Sequence, residues 1–223
     1  MIFLAYPDRN ALMQALAGDI ADELAAAVLA RGHASLSVPG GTTPGPVFDL
    51  LAQTDLPWDR IAVFLNDERW VPEDNPRSNT RLLRERLLTG KASAATLVPL
   101  YAATGTPETA LAALADGLRP HLPITVLLVG MGADMHTASL FPGADRLVDA
   151  MANDAPLLLP MRAEAAGEPR ITLTAPALRS AEHIHILITG ADKRAALDRA
   201  MILSPLEAPV SILLDRARVH WAQ

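Results

Sequence analysis

The sequence predicts an α/β fold, with one domain over residues 1–223 built on a mostly parallel, Rossmann-like sheet that carries helices on both faces. Two observations predict it. Apolar runs of strand length alternate with segments of helical period along the whole chain. Several of those runs stop abruptly at glycines and ionisable residues, as they do where open α/β sheets build sites at the carboxyl ends of their strands. No repeat, low-complexity block or long linker divides the 223 residues. A chain of that length can bury a full core without disulfides or metal staples.

Over residues 8–31, Leu12, Leu16, Ile20, Leu24 and Val28 recur at every fourth position and Gly32 follows as a stop, which predicts a helix. Ala34–Val38 reads as a strand, and the turn-rich run from Pro39 to Pro46 leads into a helix near 47–52. Ile61–Leu65 is a second buried strand, ending at Asn66, Asp67, Glu68 and Arg69. The Ser78 hydroxyl suits the N-cap of a helix over 79–88. A helix over 107–118 precedes a strand over 124–129, and residues 169–174 alternate as a strand does. His183–Thr189 is another strand, passing through Gly190 into a helix over 192–201, and 210–214 reads as the last strand.

Composition narrows the chemistry. There is no cysteine, hence no disulfide, thiolate nucleophile or sulfur-ligated metal. The formal charge is −6, there is no dense basic cluster, and aromatics make up only 4% of residues, so nucleic acid is not an expected partner. The N-terminal run lacks the basic start and long apolar core of a signal peptide, and no apolar run reaches the ~18 residues of a membrane span. A soluble cytoplasmic protein that is a monomer or small homo-oligomer is expected. An acidic balance still allows an anionic ligand, because a few converging cations make a local positive site.

Four strand ends carry candidate chemistry. At Gly40-Gly41-Thr42-Thr43-Pro44, glycines let backbone N–H groups approach an anion and hydroxyls add donors; alone, the run suits either a phosphate cradle or an ordinary turn. It lacks the Gly-Lys-Ser/Thr ending of a nucleotide P-loop. Asp67, Glu68 and Arg69 can orient hydroxyls, move protons and balance oxyanion charge, or they can form a solvated structural cluster. After the apolar run 127–129, Gly130 and Gly132 lead to Asp134 and His136, an acid and an imidazole two residues apart. The third glycine of a dinucleotide fingerprint is absent, which argues against a nicotinamide enzyme. Lys193, in a first helical turn, opposes the helix dipole unless an anion sits there. His183 and His185 share one strand face but have no obvious third metal ligand nearby, so they read as structural. His33, His121 and His220 give no pattern.

With those residues in view, the chain resembles the 6-phosphogluconolactonases. The run 40–44 is similar to that family's Gly-Gly-Ser/Thr-x-Pro phosphate loop, and 66–72 with Ser78 and Asn79 to its Asp-Glu-Arg segment. The run 130–142 is similar to its most specific signature, and Arg170–Thr174 and Gly190-x-x-Lys193 match later blocks in order. The resemblance covers roughly residues 8–214. Met135 stands where the family usually has glycine. A positive φ there would strain a methionine, so an ordinary conformation or a shifted loop is expected.

The resemblance implies hydrolysis of 6-phospho-D-glucono-1,5-lactone to 6-phosphogluconate in the oxidative pentose phosphate pathway. It also implies a fold shared with glucosamine-6-phosphate deaminases and ribose-5-phosphate isomerases, and no metal or organic cofactor. On it, His136 is the general base and then the acid, Asp134 or another carboxylate fixes its tautomer, Arg69 stabilises the oxyanion, and Asp67 positions hydroxyls. Gly40, Gly41, Thr42 and Thr43 would receive the 6-phosphate, clamped by Arg170 and Lys193. The competing readings are a sugar-phosphate isomerase or amino-sugar deaminase on the same sheet, and a non-catalytic sugar-phosphate sensor. Arg69 and the run 139–142 favour the lactonase, because the deaminases place an aromatic residue after the Asp-Glu pair. A sensor normally carries an attached DNA-binding segment, for which 223 residues leave no room.

Overall fold

A computed structural model describes residues 1–223 apart from the side chain of Ala165. The chain opens with strand β1 (Ile2–Ala5), helix α1 (Arg9–Arg31), β2 (Ala34–Val38), α2 (Gly45–Gln53) and β3 (Ile61–Leu65). Next come β4 (Asp67–Arg69), α3 (Asn79–Arg86), β5 (Thr96–Leu97), α4 (Leu111–Leu118) and β6 (Val126–Gly130). Then follow α5 (Leu147–Met151), β7 (Leu158–Met161), β8 (Arg170–Leu173), α6 (Ala175–Arg179) and β9 (His183–Thr189). The chain closes with α7 (Ala191–Ala200), α8 (Ser211–Leu214) and β10 (Arg218–Ala222).

Seven strands form one sheet in the order β1-β10-β9-β6-β2-β3-β5, and every pairing in it is parallel. All five residues of β2 and all five of β3 are buried, as a sheet covered on both faces requires. The predicted α/β architecture with its mostly parallel sheet is the one observed. Strands β4, β8 and β7 form a separate antiparallel sheet beside it. Asn66 joins the two sheets. Its N–H donates to Val38 O at 2.9 Å, its O accepts from Leu173 N–H at 2.9 Å, and its Nδ2 donates to Leu128 O at 2.8 Å.

Local sequence explains the element ends. Asp8 caps α1 by accepting from Ala11 N–H at 2.8 Å, and Gly32 closes it at φ 82° with its N–H on Val28 O. The buried stripe Leu12, Leu16, Ile20 and Leu24 lies fully against the core. Ser78 caps α3 through Arg81 N–H, as its hydroxyl suggests.

Some expectations are corrected. Residues 210–214 do not form a strand; Ser211–Leu214 is a short helix, and the last strand is Arg218–Ala222. A five-residue apolar run carries no period that separates helix from strand. The segment 107–118 begins as a 3-10 turn over Pro107–Thr109 and becomes α-helical only at Leu111. The strand expected over 124–129 runs instead over Val126–Gly130.

Candidate active site

Strand β2 has β3 on one side and β6 on the other, so the loops leaving β2 and β6 diverge and open a crevice above the sheet's carboxyl end. A cleft of about 390 Å³ occupies it. Its walls bring together Gly40, Gly41 and Thr43 after β2, Asp67 and Arg69 after β3, His136 after β6, Arg170 on β8 and Lys193 on α7. Residues from five separated stretches of chain meet there.

The loop after β6 is held tightly. Gly132 N–H donates to His136 O at 2.9 Å, and Met135 N–H donates back to Gly132 O at 3.0 Å. The turn brings His136 Nδ1 to 2.6 Å from Asp134 Oδ1. That hydrogen bond, ahead of an opposing cost of burial, holds the Asp134 carboxyl below the usual carboxylate range. Asp134 stands behind the imidazole and is not a wall of the cleft. Nε2 of His136 is thereby left as the nitrogen available to a ligand, and the ring rests against Phe141 with centroids 4.4 Å apart. Gly132 is required by space: a Cβ there would lie 2.1 Å from Asp134 Oδ1 and 2.2 Å from His136 Nδ1.

Met135 does not take the ordinary conformation that was one of the two expectations for it. Its φ is 66°, so the methionine itself takes the left-handed conformation that glycine takes freely. Ala138 does the same at φ 49°. Val210 N–H donates to Met135 O at 3.1 Å and Arg199 Nη2 to Ala133 O at 3.3 Å, so the end of α7 and the segment after it brace the strained turn.

The two carboxylates after β3 separate by strand alternation. Asp67 faces the cleft, accepts from the Ser139 hydroxyl, and lies 3.9 Å from Arg170 Nη1. Glu68 is fully buried on the other side, where it accepts from the N–H groups of Arg69, Asn79 and Thr80 and from the hydroxyls of Ser78 and Thr80. Burial pushes its carboxyl up against those hydrogen bonds. Glu68 therefore anchors the start of α3, whereas Asp67 belongs to the site.

Arg69 and Arg170 are register partners on β4 and β8. Arg170 is 6% exposed, and the Nε groups of both arginines are buried without a protein partner. Burial lowers the Arg170 pKa, with Asp67 opposing the shift. Burial also lowers that of Lys193, and the nearby Asp134 carboxylate opposes it. Buried donors without acceptors and desolvated cations make this a site that favours an anion.

The glycine loop divides its residues. Gly41 turns the chain at φ 85°, and Gly40 has no room for a Cβ, which would meet Asn79 Oδ1 at 1.9 Å. Thr43 lines the cleft, but Thr42 does not; it lines a neighbouring cavity with Arg9, Asn10 and Leu50. Thr43 lines that second cavity as well, so it stands between the two. Asn79, Phe141 and Ser139 lie in runs that the sequence singles out, but the sequence assigns them no role. Asn79 and Phe141 line the cleft and Ser139 donates to Asp67, contacts between distant segments that no local pattern specifies. Among the described residues, the one cluster with metal-ligating geometry is Asp19 with His185 and His220, and none of these lines the cleft. Among the described residues no helix is long and apolar enough to cross a membrane.

Residues 7–221 match the family model described as glucosamine-6-phosphate isomerases/6-phosphogluconolactonase. The chain is similar to a 6-phosphogluconolactonase of Rhizobium meliloti, at 43% identity over 97% of both chains. It is also similar to one of Mesorhizobium japonicum, at 44% identity over 98% of this chain and 94% of that one. Among solved structures, a 6-phosphogluconolactonase from Shewanella baltica superposes with a TM-score of 0.97 at 34% identity, covering 100% of this chain and 98% of that one. One from Thermotoga maritima gives 0.84 at 26% identity over 99% and 98%.

Proposed function

The chain belongs to the glucosamine-6-phosphate isomerase/6-phosphogluconolactonase family, and from that premise we propose how its cleft hydrolyses 6-phospho-D-glucono-1,5-lactone to 6-phospho-D-gluconate. The enzyme is a lactone hydrolase of the pentose phosphate pathway. The whole apparatus falls within one domain, residues 1–223, and works in the cytoplasm, where its pathway runs.

Hydrolysis requires an activated water, charge stabilisation at the C1 oxygen, and a proton for the departing ring oxygen. His136 supplies the first and third: Nε2 takes a proton from water as it attacks C1 and returns it to the ring oxygen as the C1–O bond breaks. Asp134 holds Nδ1–H at 2.6 Å, which fixes the tautomer and steadies the imidazolium formed in between. Arg69 faces the developing oxyanion, and Asp67, held by Ser139, orients sugar hydroxyls.

The 6-phosphate lies on the turn at Gly40, Gly41 and Thr43, between Arg170 and Lys193. Binding energy at that end orients C1 against His136. The observation that carries this reading is the meeting, in one cleft, of an imidazole backed by a carboxylate with cations whose buried donors lack acceptors.

The test compares two reactions. The purified chain should accelerate acid release from the lactone well above its spontaneous opening and release no ammonia from glucosamine 6-phosphate. Ammonia release without lactone hydrolysis would place it with the deaminases. Binding of 6-phosphogluconate without turnover would make it a sensor.

A further inference from the structure

A second cluster of ionisable groups lies outside the cleft, between α1 and the strands β9 and β10. His185 and His220 are both fully buried, and His185 Nδ1 meets His220 Nε2 at 2.9 Å. On the far side of each ring the other nitrogen is held: His185 Nε2 by Glu23 Oε2 at 2.7 Å, and His220 Nδ1 by the Tyr6 hydroxyl at 2.8 Å. Asp19 sits one turn before Glu23 on α1, and one of its oxygens lies within 4.8 Å of ligand nitrogens of both histidines.

We propose that Asp19, His185 and His220 form a binding site for a divalent transition metal ion of the zinc class, separate from the catalytic cleft. Two imidazole nitrogens and a carboxylate oxygen are the donor set that Zn²⁺ and Co²⁺ take, with a fourth position left for water. The outer contacts also match what metal-bound histidines require, since each ligating ring is oriented by a hydrogen bond at its opposite nitrogen.

Proton bookkeeping favours the exchange. With Glu23 ionised, His185 carries its proton on Nε2 and already presents a lone pair at Nδ1. His220 donates from Nε2 and accepts from Tyr6. Metal binding needs only that His220 move its proton to Nδ1 and that Tyr6 turn to accept it, so no proton leaves. Arg218 competes for the acids, lying 3.4 Å from Asp19 and 3.3 Å from Glu23. Its half-exposed side chain can release Asp19 and keep Glu23. A bound ion would tie α1 to two neighbouring strands.

The probe is Co²⁺, titrated into the purified chain and followed by its visible absorption, with Zn²⁺ as the displacing ion. One equivalent should bind per chain and raise Tm, and Asp19→Asn and Glu23→Gln should each weaken binding by about 10–100-fold. His220→Gln should abolish it, whereas His136→Ala should leave it in place. If His220→Gln fails to fold, Asp19→Asn, which alters a partly exposed side chain, carries the test. Binding lost only in His136→Ala would locate the ion in the catalytic cleft and overturn the proposal. Equal affinity in parent and Asp19→Asn, or no Co²⁺ spectrum at all, would also overturn it.

Discussion

Arg69 and Arg170 stand opposite each other across two antiparallel strands, two like charges paired in register. Directly opposed like charges destabilise a sheet, and an arginine as buried as Arg170 adds a desolvation cost. Arg170→Met should therefore leave the stability of the ligand-free protein within about 1 kcal/mol of the parent, since a well-packed apolar replacement of a buried ion is often neutral. The same change should raise KM and remove most of the Tm increase that 6-phosphogluconate gives the parent. Arg69→Met should instead lower kcat. If it raises only KM, Arg69 is a second phosphate ligand and not the oxyanion partner.

His136→Ala should lower kcat by about 10²–10⁴-fold with the spontaneous opening subtracted. Gly132→Ala offers a sharper test of geometry, because the added methyl would displace both Asp134 Oδ1 and His136 Nδ1. Misplacement of about 1 Å can cost about 10²-fold. The loss should fall on kcat while the denaturant midpoint moves little, since the displaced atoms are side-chain ends. Near-normal turnover in Gly132→Ala would detach the Asp134 pair from catalysis.

Met135 tests the strained turn. A β-branched residue tolerates a positive φ worse than methionine does, so Met135→Val should destabilise the protein by about 1–2 kcal/mol and slow turnover through His136. Met135→Gly, which restores the residue usual in the family, should keep full activity. Urea melts and initial rates on the three proteins decide it. Equal stability of Met135→Val and the parent would contradict the conformation at φ 66°.

Asp134 gives a pH signature. Its folded pKa lies below the unfolded value because of the His136 hydrogen bond. Between those two values the unfolded chain binds more protons, so stability rises with pH. The contribution is present above the unfolded carboxylate pKa, about 3.9, and fades as pH falls through the lower folded value. Asp134→Asn lacks this dependence. Stability curves of parent and variant, measured by denaturant at stepped pH, should converge on acidification, whereas parallel curves would show that the pair contributes nothing.

The parts of this fold that local patterns reveal are those whose pattern admits only one reading. The stripe along Arg9–Arg31, the fully apolar Ile61–Leu65, and Ser78 before its helix each match a single element. The run 210–214 matches two, and packing decided for the helix. Strand β1 was invisible, because Ile2–Ala5 is half exposed and takes its order from β10. At the site, the types and positions of the chemical groups are legible, because ionisable residues interrupting apolar strand ends have few other uses. Their division of labour is not. That Asp67 turns inward while Glu68 turns to the start of α3 depends on strand alternation.

The pairing of β1 with β10 has a consequence in time. Residue 2 can find its only neighbour in the sheet when residue 218 arrives, and the cleft's last cation, Lys193, follows β9 in the same late stretch of chain. Contacts so distant in sequence form slowly, after local helices have paid for nothing but themselves. In refolding, helical signal should return first and catalysis last, as the two ends of the chain close the sheet together.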